Sequence, residues 1–382
     1  MDAAGTNPER EPDQAAAAAP EERRFPCASC GARLTFAPGT DALTCPYCRA
    51  VNEIAGDHTE IRELDFRAHL GRLAEHAESI DQIVSHCDTC GADVEMPDNV
   101  TSHACPFCGS DVVAVGRSTK LIKPGSLVPF KVERSVARAA YQSWIKKRWF
   151  APRDLKSKSR LEARLAGIYL PYWTYDSSTS TDYTGQRGEH YYVTVPYTTT
   201  VNGKTVTRTR RERRTRWYPA SGRVHNTFDD LLVPASTSLP SDLIEDAGPW
   251  KLGELRPYDD AYLAGFRSES YTVDLPTGFV TAEGLMQPTI DSTIRADIGG
   301  DEQRIASKAM HHTAITFKHL LLPVWVSAYR YKQKTYQVIV NAQTGEVVGD
   351  RPYSAWKILG ITFGVAAAVV AFIIAVNLLR GG

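Results

Sequence analysis

Cys27-Ala28-Ser29-Cys30 and Cys45-Pro46-Tyr47-Cys48 are separated by fourteen residues. The arrangement returns sixty residues later as Cys87-Asp88-Thr89-Cys90 and Cys105-Pro106-Phe107-Cys108. Together the two sets use all eight cysteines of the chain. A CxxC pair places two thiolates on one tight turn, and two such turns close a tetrahedral four-sulfur site that suits Zn2+. Gly31 and Gly91 follow the second cysteine of a turn, where positive φ is often required. The copies also share Ala32/Ala92, Leu34/Val94, Pro46/Pro106 and the aromatic pair Tyr47/Phe107. The expectation is two Zn2+ per chain in two zinc ribbons. A disulfide framework is the competing reading, and it belongs to an oxidising compartment; no apolar signal segment precedes these cysteines.

Several elements must position these sites. Residues 1–24 are rich in Pro, Ala and Glu and read as a disordered tail. Ribbon one is expected over 25–55, a helical linker over 56–84 with a helix near 65–79, and ribbon two over 85–115. Residues 116–352 read as mixed α+β, mostly antiparallel sheet, with a helix near 133–148 and a third helical stretch near 155–165. From Ile168 onward Tyr, Thr and Val dominate, and Asn202-Gly203 is a strong type I′ hairpin signal. Leu320 to Arg330 and Lys334 to Asn341 read as two further strands, and Thr344-Gly345 as a turn into Glu346-Val347-Val348.

Ile358 to Leu379 carries no charge. At about 1.5 Å per residue it would reach roughly 33 Å, enough for a bilayer core. Trp356, Lys357 and Arg380 flank it. The fold class expected is therefore a multidomain chain: two N-terminal zinc ribbons, an α+β region, and one transmembrane tail anchor over 356–380. That placement implies a single-pass membrane protein with the N-terminal bulk cytoplasmic, and a lipid bilayer as partner. Gly360 and Gly364 offer a small-xxx-small face for homo-oligomer contacts.

The order of these motifs resembles a known family. Its marks here are the double ribbon, Leu127-Val128-Pro129-Phe130, the helix carrying Trp144, Ile168-Tyr169-Leu170-Pro171-Tyr172-Trp173, and Phe228-Asp229-Asp230-Leu231-Leu232-Val233-Pro234-Ala235-Ser236. Toward the C-terminus they continue as Phe317-Lys318-His319-Leu320-Leu321-Leu322-Pro323-Val324-Trp325, Val340-Asn341-Ala342-Gln343-Thr344-Gly345-Glu346 and Arg351-Pro352-Tyr353-Ser354. They resemble bacterial membrane-anchored double zinc-ribbon proteins, which often carry primosomal-helicase-like or phage-replication-like labels. The resemblance implies association with membrane-stress and membrane-remodelling partners. Arg49 departs from the second ribbon, which has Gly109 at that position; the residue does not ligate, so metal affinity is expected to survive.

Enzyme motifs fail on context. Asn202-Gly203-Lys204-Thr205 ends like a P-loop, but Thr198 stands where the first glycine belongs, and the segment sits between two strand-like runs instead of opening a helix. Gly299-Gly300-Asp301-Glu302 lacks the βαβ surroundings of a nucleotide cyclase loop. Asp229-Asp230 reads as a turn or cap in preference to a cation site. His311, His312 and His319 show no catalytic spacing, and His86 and His103 lie beside sites that four thiolates already fill. No catalytic residue and no enzyme is expected.

One surface remains. Lys204, Arg208, Arg210, Arg211, Arg213, Arg214 and Arg216 face a single acid, Glu212. A two-residue turn at Asn202-Gly203 places Tyr197 opposite Arg208, Tyr191 opposite Arg214 and Tyr192 opposite Arg213, so guanidinium groups can lie over rings. Three readings stay open: edge protection against aggregation, an anionic lipid or protein surface, or nucleic acid. Formal net charge is zero, so global charge favours no partner. Ribbon two has no Lys or Arg from Cys87 to Cys108 and carries Asp88, Asp93, Glu95 and Asp98, which repels phosphate. The expectation is a non-enzymatic, membrane-tethered adaptor for cytosolic protein partners; the alternative is a nucleic-acid-binding zinc-ribbon protein without a helicase motor.

Overall fold

Two segments that read as unbroken apolar runs, around Ile168 and around Leu320, become the middle of a sheet covered on both faces. Alternation along a strand sends successive side chains to opposite sides. A continuous run is therefore what a doubly covered strand requires. The computed structural model describes residues 25–54, 60–75, 79–87, 90–95, 102–108, 110–113, 117–148, 152, 165–201, 204–331, 334–350 and 355–380.

Among the described residues the main sheet has nine strands. They are β1 (Leu64–Asp65), β2 (Ser126–Leu127), β3 (Ala166–Val201), β4 (Lys204–Pro234), β5 (Arg256–Pro257), β6 (Arg267–Ser268), β7 (Glu302–Tyr331), β8 (Lys334–Asn341) and β9 (Val347–Gly349). The central path runs β4-β3-β7-β2-β5. Strands β3, β4 and β7 pair antiparallel, while β2 runs parallel to β7 and β6 parallel to β3. The far edge of β7 is shared in succession by β1 at Thr316–Phe317, β2 at Leu320–Leu321 and β8 from Val324.

The helices are α1 (Phe66–Glu75), α2 (Arg134–Lys146), α3 (Ser241–Asp246), α4 (Leu275–Ile298) and α5 (Ala355–Arg380). Helix α1 and helix α2 fall where the apolar spacing puts them. Helix α4 was not expected, because Pro276, Gly278, Gly284 and Pro288 break the usual composition. It forms because Asp274 caps it, accepting from the Thr277 N–H at 2.9 Å, and Pro276 sits in the first turn, where no N–H is needed. Its buried stripe of Leu275, Gly278, Ala282, Met286, Ile290, Ile294 and Ile298 lies on Trp173, Tyr175 and Phe317 of the sheet.

Ribbon one and ribbon two are built into the body from opposite sides. Leu34, Phe36 and Leu43 of ribbon one share a core with Phe130, Tyr169, Leu321 and Trp325. Ala92, Val94 and Phe107 of ribbon two share another with Val128, Ile168, Leu170, Leu320 and Leu322. Neighbours in sequence, Ile168 and Tyr169, thus serve different ribbons, as do Leu320 and Leu321.

The expected fold class is corrected at its C-terminus. Helix α5 forms, yet among the described residues no helix is long and apolar enough to cross a membrane. The tail anchor over 356–380, the single-pass membrane localisation with its cytoplasmic bulk, and the lipid bilayer as a partner through this helix are withdrawn. The homo-oligomer contact at Gly360 and Gly364 loses its basis with them. The helical stretch near 155–165 lies outside the described residues except for Leu165, which is followed at once by β3.

Helix α4 rides closely on the sheet at Gly278. A Cβ there would stand 2.5 Å from Tyr175 Oη and 2.9 Å from Trp173 Cδ1. Those two side chains donate to Leu275 O and Val273 O. Gly278→Ala should destabilise the chain by about 1–3 kcal/mol through overpacking. Gly284→Ala, with nothing near its Cβ, should stabilise by about 0.5–1 kcal/mol. Urea unfolding of the two variants checks the opposite signs.

Candidate metal centres and the basic arm

Each ribbon brings four sulfurs together through backbone turns. Cys27 O accepts from Gly31 N–H, and Cys87 O from Gly91 N–H, both at 2.8 Å. The two glycines take φ of 72° and 74°. Arg49 N–H closes the second knuckle of ribbon one onto Cys45 O at 3.0 Å, with φ of 63°. A left-handed residue is thus accommodated there without glycine, and the metal-facing geometry is kept.

The four sulfurs of each set, Cys27, Cys30, Cys45 and Cys48, and Cys87, Cys90, Cys105 and Cys108, lie within 4.8 Å of one another. Cys27–Cys48 and Cys30–Cys45 are both 3.5 Å apart, Cys87–Cys108 3.6 Å and Cys90–Cys105 3.7 Å. All eight are free thiols, far from disulfide length. A tetrahedron with metal–sulfur bonds of about 2.3 Å has edges of about 3.8 Å. The two clusters therefore suit two metal ions.

The protein environment favours thiolate at the inner cysteines. The Cys48 N–H, aided by the Tyr47 N–H against burial, lowers the Cys45 thiol to about 6. The neighbouring Cys90 thiol and the N–H groups of Cys108 and Phe107 lower Cys105 to about 5. The shared sulfur contacts raise the partner thiols Cys48 and Cys90 in turn, so metal binding at each cluster must still displace protons there.

Ribbon two is held by more than apolar contact. Gln337 Nε2 donates to Phe107 O at 2.7 Å, and Ser270 N–H donates to Asp93 O at 3.1 Å. Beside this seam Val94 and Glu269 form a β-bridge. Glu269 is buried at 2% exposure; Ser236 Oγ donates to its Oε1 at 2.7 Å, Ser238 Oγ donates to the same atom, and Oε2 has no hydrogen-bond partner among the described residues. Burial raises its carboxyl to about 8.

The other sequence candidates do not assemble into a site. His312 meets Ser177 and Glu283, whereas His319 is buried against Ile122 O. His86 Nδ1 contacts Asp93 at 2.6 Å. The His103 side chain lies outside the described residues. Gly299 and Gly300, with φ of 66° and 76°, turn helix α4 into β7, and Asp301 and Glu302 bind His190. Glu63, Asp176 and Asp229 form an acidic cluster, and Lys318 Nζ enters it at 3.1 Å from Glu63 and 2.6 Å from Asp230. Lys318 of β7 thus joins Glu63, next to β1, to Asp230 of β4, while Asp176 accepts from the Asp230 N–H and from Thr316 Oγ1.

The basic segment forms the end of the β3–β4 hairpin. Strand β7 begins at Glu302, paired with Gly188. Beyond that point β3 from Glu189 to Val201 pairs only with β4 from Lys204 to Arg216 among the described residues. The register matches the sequence expectation: Tyr197 faces Arg208, Tyr192 faces Arg213 and Tyr191 faces Arg214. Asn202 and Gly203 lie outside the described residues, between the pair Val201–Lys204. The ring contacts are diagonal, however. Arg210 lies over Tyr197 at 5.8 Å, Arg211 over Tyr192 at 5.0 Å and Arg216 over Tyr191 at 5.0 Å. A long side chain reaches the i±2 neighbour across a strand as easily as the one opposite.

No family model matches this chain, and no solved structure matches it. It is similar to the uncharacterized protein YdjG of Bacillus subtilis (strain 168), 26% identical over 263 residues, which cover 68% of this chain and 73% of that protein.

Ribbon one exposes Cys30 and Cys48, whereas Cys90 and Cys108 are half-buried. A chelator should therefore strip metal in two phases, ribbon one first. Cys30→Ser with Cys48→Ser should abolish the fast phase and leave the slow one. Metal release followed with a colorimetric dye checks this; a fast phase that persists in the variant contradicts it.

Glu269 gives a pH dependence. Between pH ~4.5 and ~8 the folded chain keeps a proton that the unfolded chain releases. Its contribution is complete below ~4.5 and is lost as pH rises through ~8, by about 1.4 kcal/mol per pH unit. Glu269→Gln should flatten that slope in denaturation curves taken from pH 5 to 8.

Proposed function

We propose that this chain is a non-enzymatic adaptor: a sheet platform fixed by two zinc ions, with the basic arm as its docking surface for a polyanionic or acidic partner. Zinc is the ion of choice because all-thiolate tetrahedral sites favour it over harder cations. The arm carries the reading. It stands clear of the third strand, it concentrates seven basic residues in a chain of zero net charge, and its tyrosines hold three guanidinium groups in place. Guanidiniums fixed in this way lose little freedom on binding.

A non-enzymatic role is supported by where the enzyme-like motifs fall. Lys204 and Thr205 are strand residues of β4, so their N–H groups cannot cradle phosphate at a helix start. The metal clusters, with four thiolates each, offer no open coordination position of the kind a catalytic zinc keeps.

Full-length protein should be retained on a heparin column in low salt. Replacement of Arg208, Arg210, Arg213 and Arg214 by glutamine should move elution to markedly lower salt, with an unchanged circular dichroism spectrum. Equal retention of the variant contradicts the docking role of the arm.

A further inference from the structure

We infer that the arm binds double-stranded nucleic acid by lying along a groove, reading phosphates on both walls and not base sequence. The inference rests on the adaptor reading above and names its partner. Three observations lead to it.

First, the arm is cationic on both faces. Pairing and alternation place Arg208, Arg210, Arg214 and Arg216 on one face and Arg211 and Arg213 on the other. All six are exposed. A flat protein or vesicle surface can meet one face at a time, whereas a groove presents phosphate on either side of whatever lies in it. Glu212 pairs with Arg210 at 2.6 Å and Arg214 at 3.7 Å, and among the described residues Arg208, Arg211 and Arg213 have no salt bridge.

Second, the dimensions agree. Thirteen paired positions at about 3.3 Å per residue give an arm of roughly 43 Å, longer than the ~34 Å helical turn of a duplex. A two-stranded ribbon is one of the two elements that the ~12 Å major groove admits.

Third, one edge of the arm is blunted against strand addition. Pro196, on the β3 edge, pairs with Thr209 of β4. Proline has no N–H to donate, so that edge lacks a ladder donor. An acidic peptide added as a further strand on β3 meets that obstacle, while a ligand held by the side chains of the two faces does not.

The test uses full-length, metal-loaded protein and a fluorescent 30-base-pair DNA of arbitrary sequence. Anisotropy titrations from 50 to 200 mM salt should show affinity falling roughly 10²–10³-fold, as expected for about five released counterions. Two unrelated duplex sequences should bind alike. Replacing Arg208, Arg210, Arg213 and Arg214 by glutamine should flatten the salt dependence, and replacing the same four by lysine should retain it. Absence of duplex binding at 50 mM salt overturns the inference, as does equal or tighter binding of poly-glutamate, of phosphatidylserine vesicles or of the single strand. If duplex fails while heparin retention still depends on the arginines, the docking role stands and only the partner is wrong.

Discussion

The structure depends on two four-cysteine ribbons pressed against opposite faces of one sheet. A sheet this large has two apolar faces to cover. Helix α4 covers one part of one face, and the ribbons cover much of what remains. Each ribbon contributes only a few apolar side chains, such as Leu34, Phe36 and Leu43 on one side and Ala92, Val94 and Phe107 on the other. Small loops of that kind cannot hold their shape by burial alone. The four-sulfur clusters suit metal ions, and an ion bound there would supply what the apolar contacts lack, because metal binding in such sites is folding free energy. Phe36 and Phe107 would carry that constraint to the sheet.

That arrangement accounts for the length of the central strands. Strands β3 and β4 are packed over their inner parts, beside β7, and continue past the covered region. Where β7 starts, at Glu302, its pairing partner Gly188 marks the boundary of the platform. Beyond it an isolated two-stranded ribbon is marginal in water. Here it is extended from an anchored three-stranded base and strengthened by Arg–Tyr contacts on both faces. Anchoring at one end and charge at the other are two consequences of one pair of strands.

Much of this was legible in the residues. The cysteine spacing placed both four-sulfur clusters, and Asn202-Gly203 set the hairpin register that pairs Tyr197 with Arg208. The runs at Ile168 and Leu320 were read as strands, but their unbroken apolarity also carried the information that both faces would be covered. Helix α4 was missed because its glycines and prolines argue against a helix one residue at a time. Its Gly278, Ala282, Met286, Ile290, Ile294 and Ile298 repeat every four residues and could have revealed it. Diagonal guanidinium contacts depend on rotamers that pairing alone does not fix. The C-terminal apolar segment was read as a membrane span from composition, and no helix that meets that requirement is found among the described residues.

The most direct measurement is a zinc titration of metal-free, reduced, full-length protein, followed through the near-ultraviolet dichroism of its buried tryptophans. Trp173 and Trp325 sit in cores next to or shared with the ribbons, so their asymmetry reports tertiary packing. The account predicts that the signal is weak without metal and is regained as Zn2+ is added, saturating at two equivalents per chain. A full tertiary signal before any metal is added, or saturation at one equivalent, would contradict the claim that two metal-fixed ribbons hold the sheet.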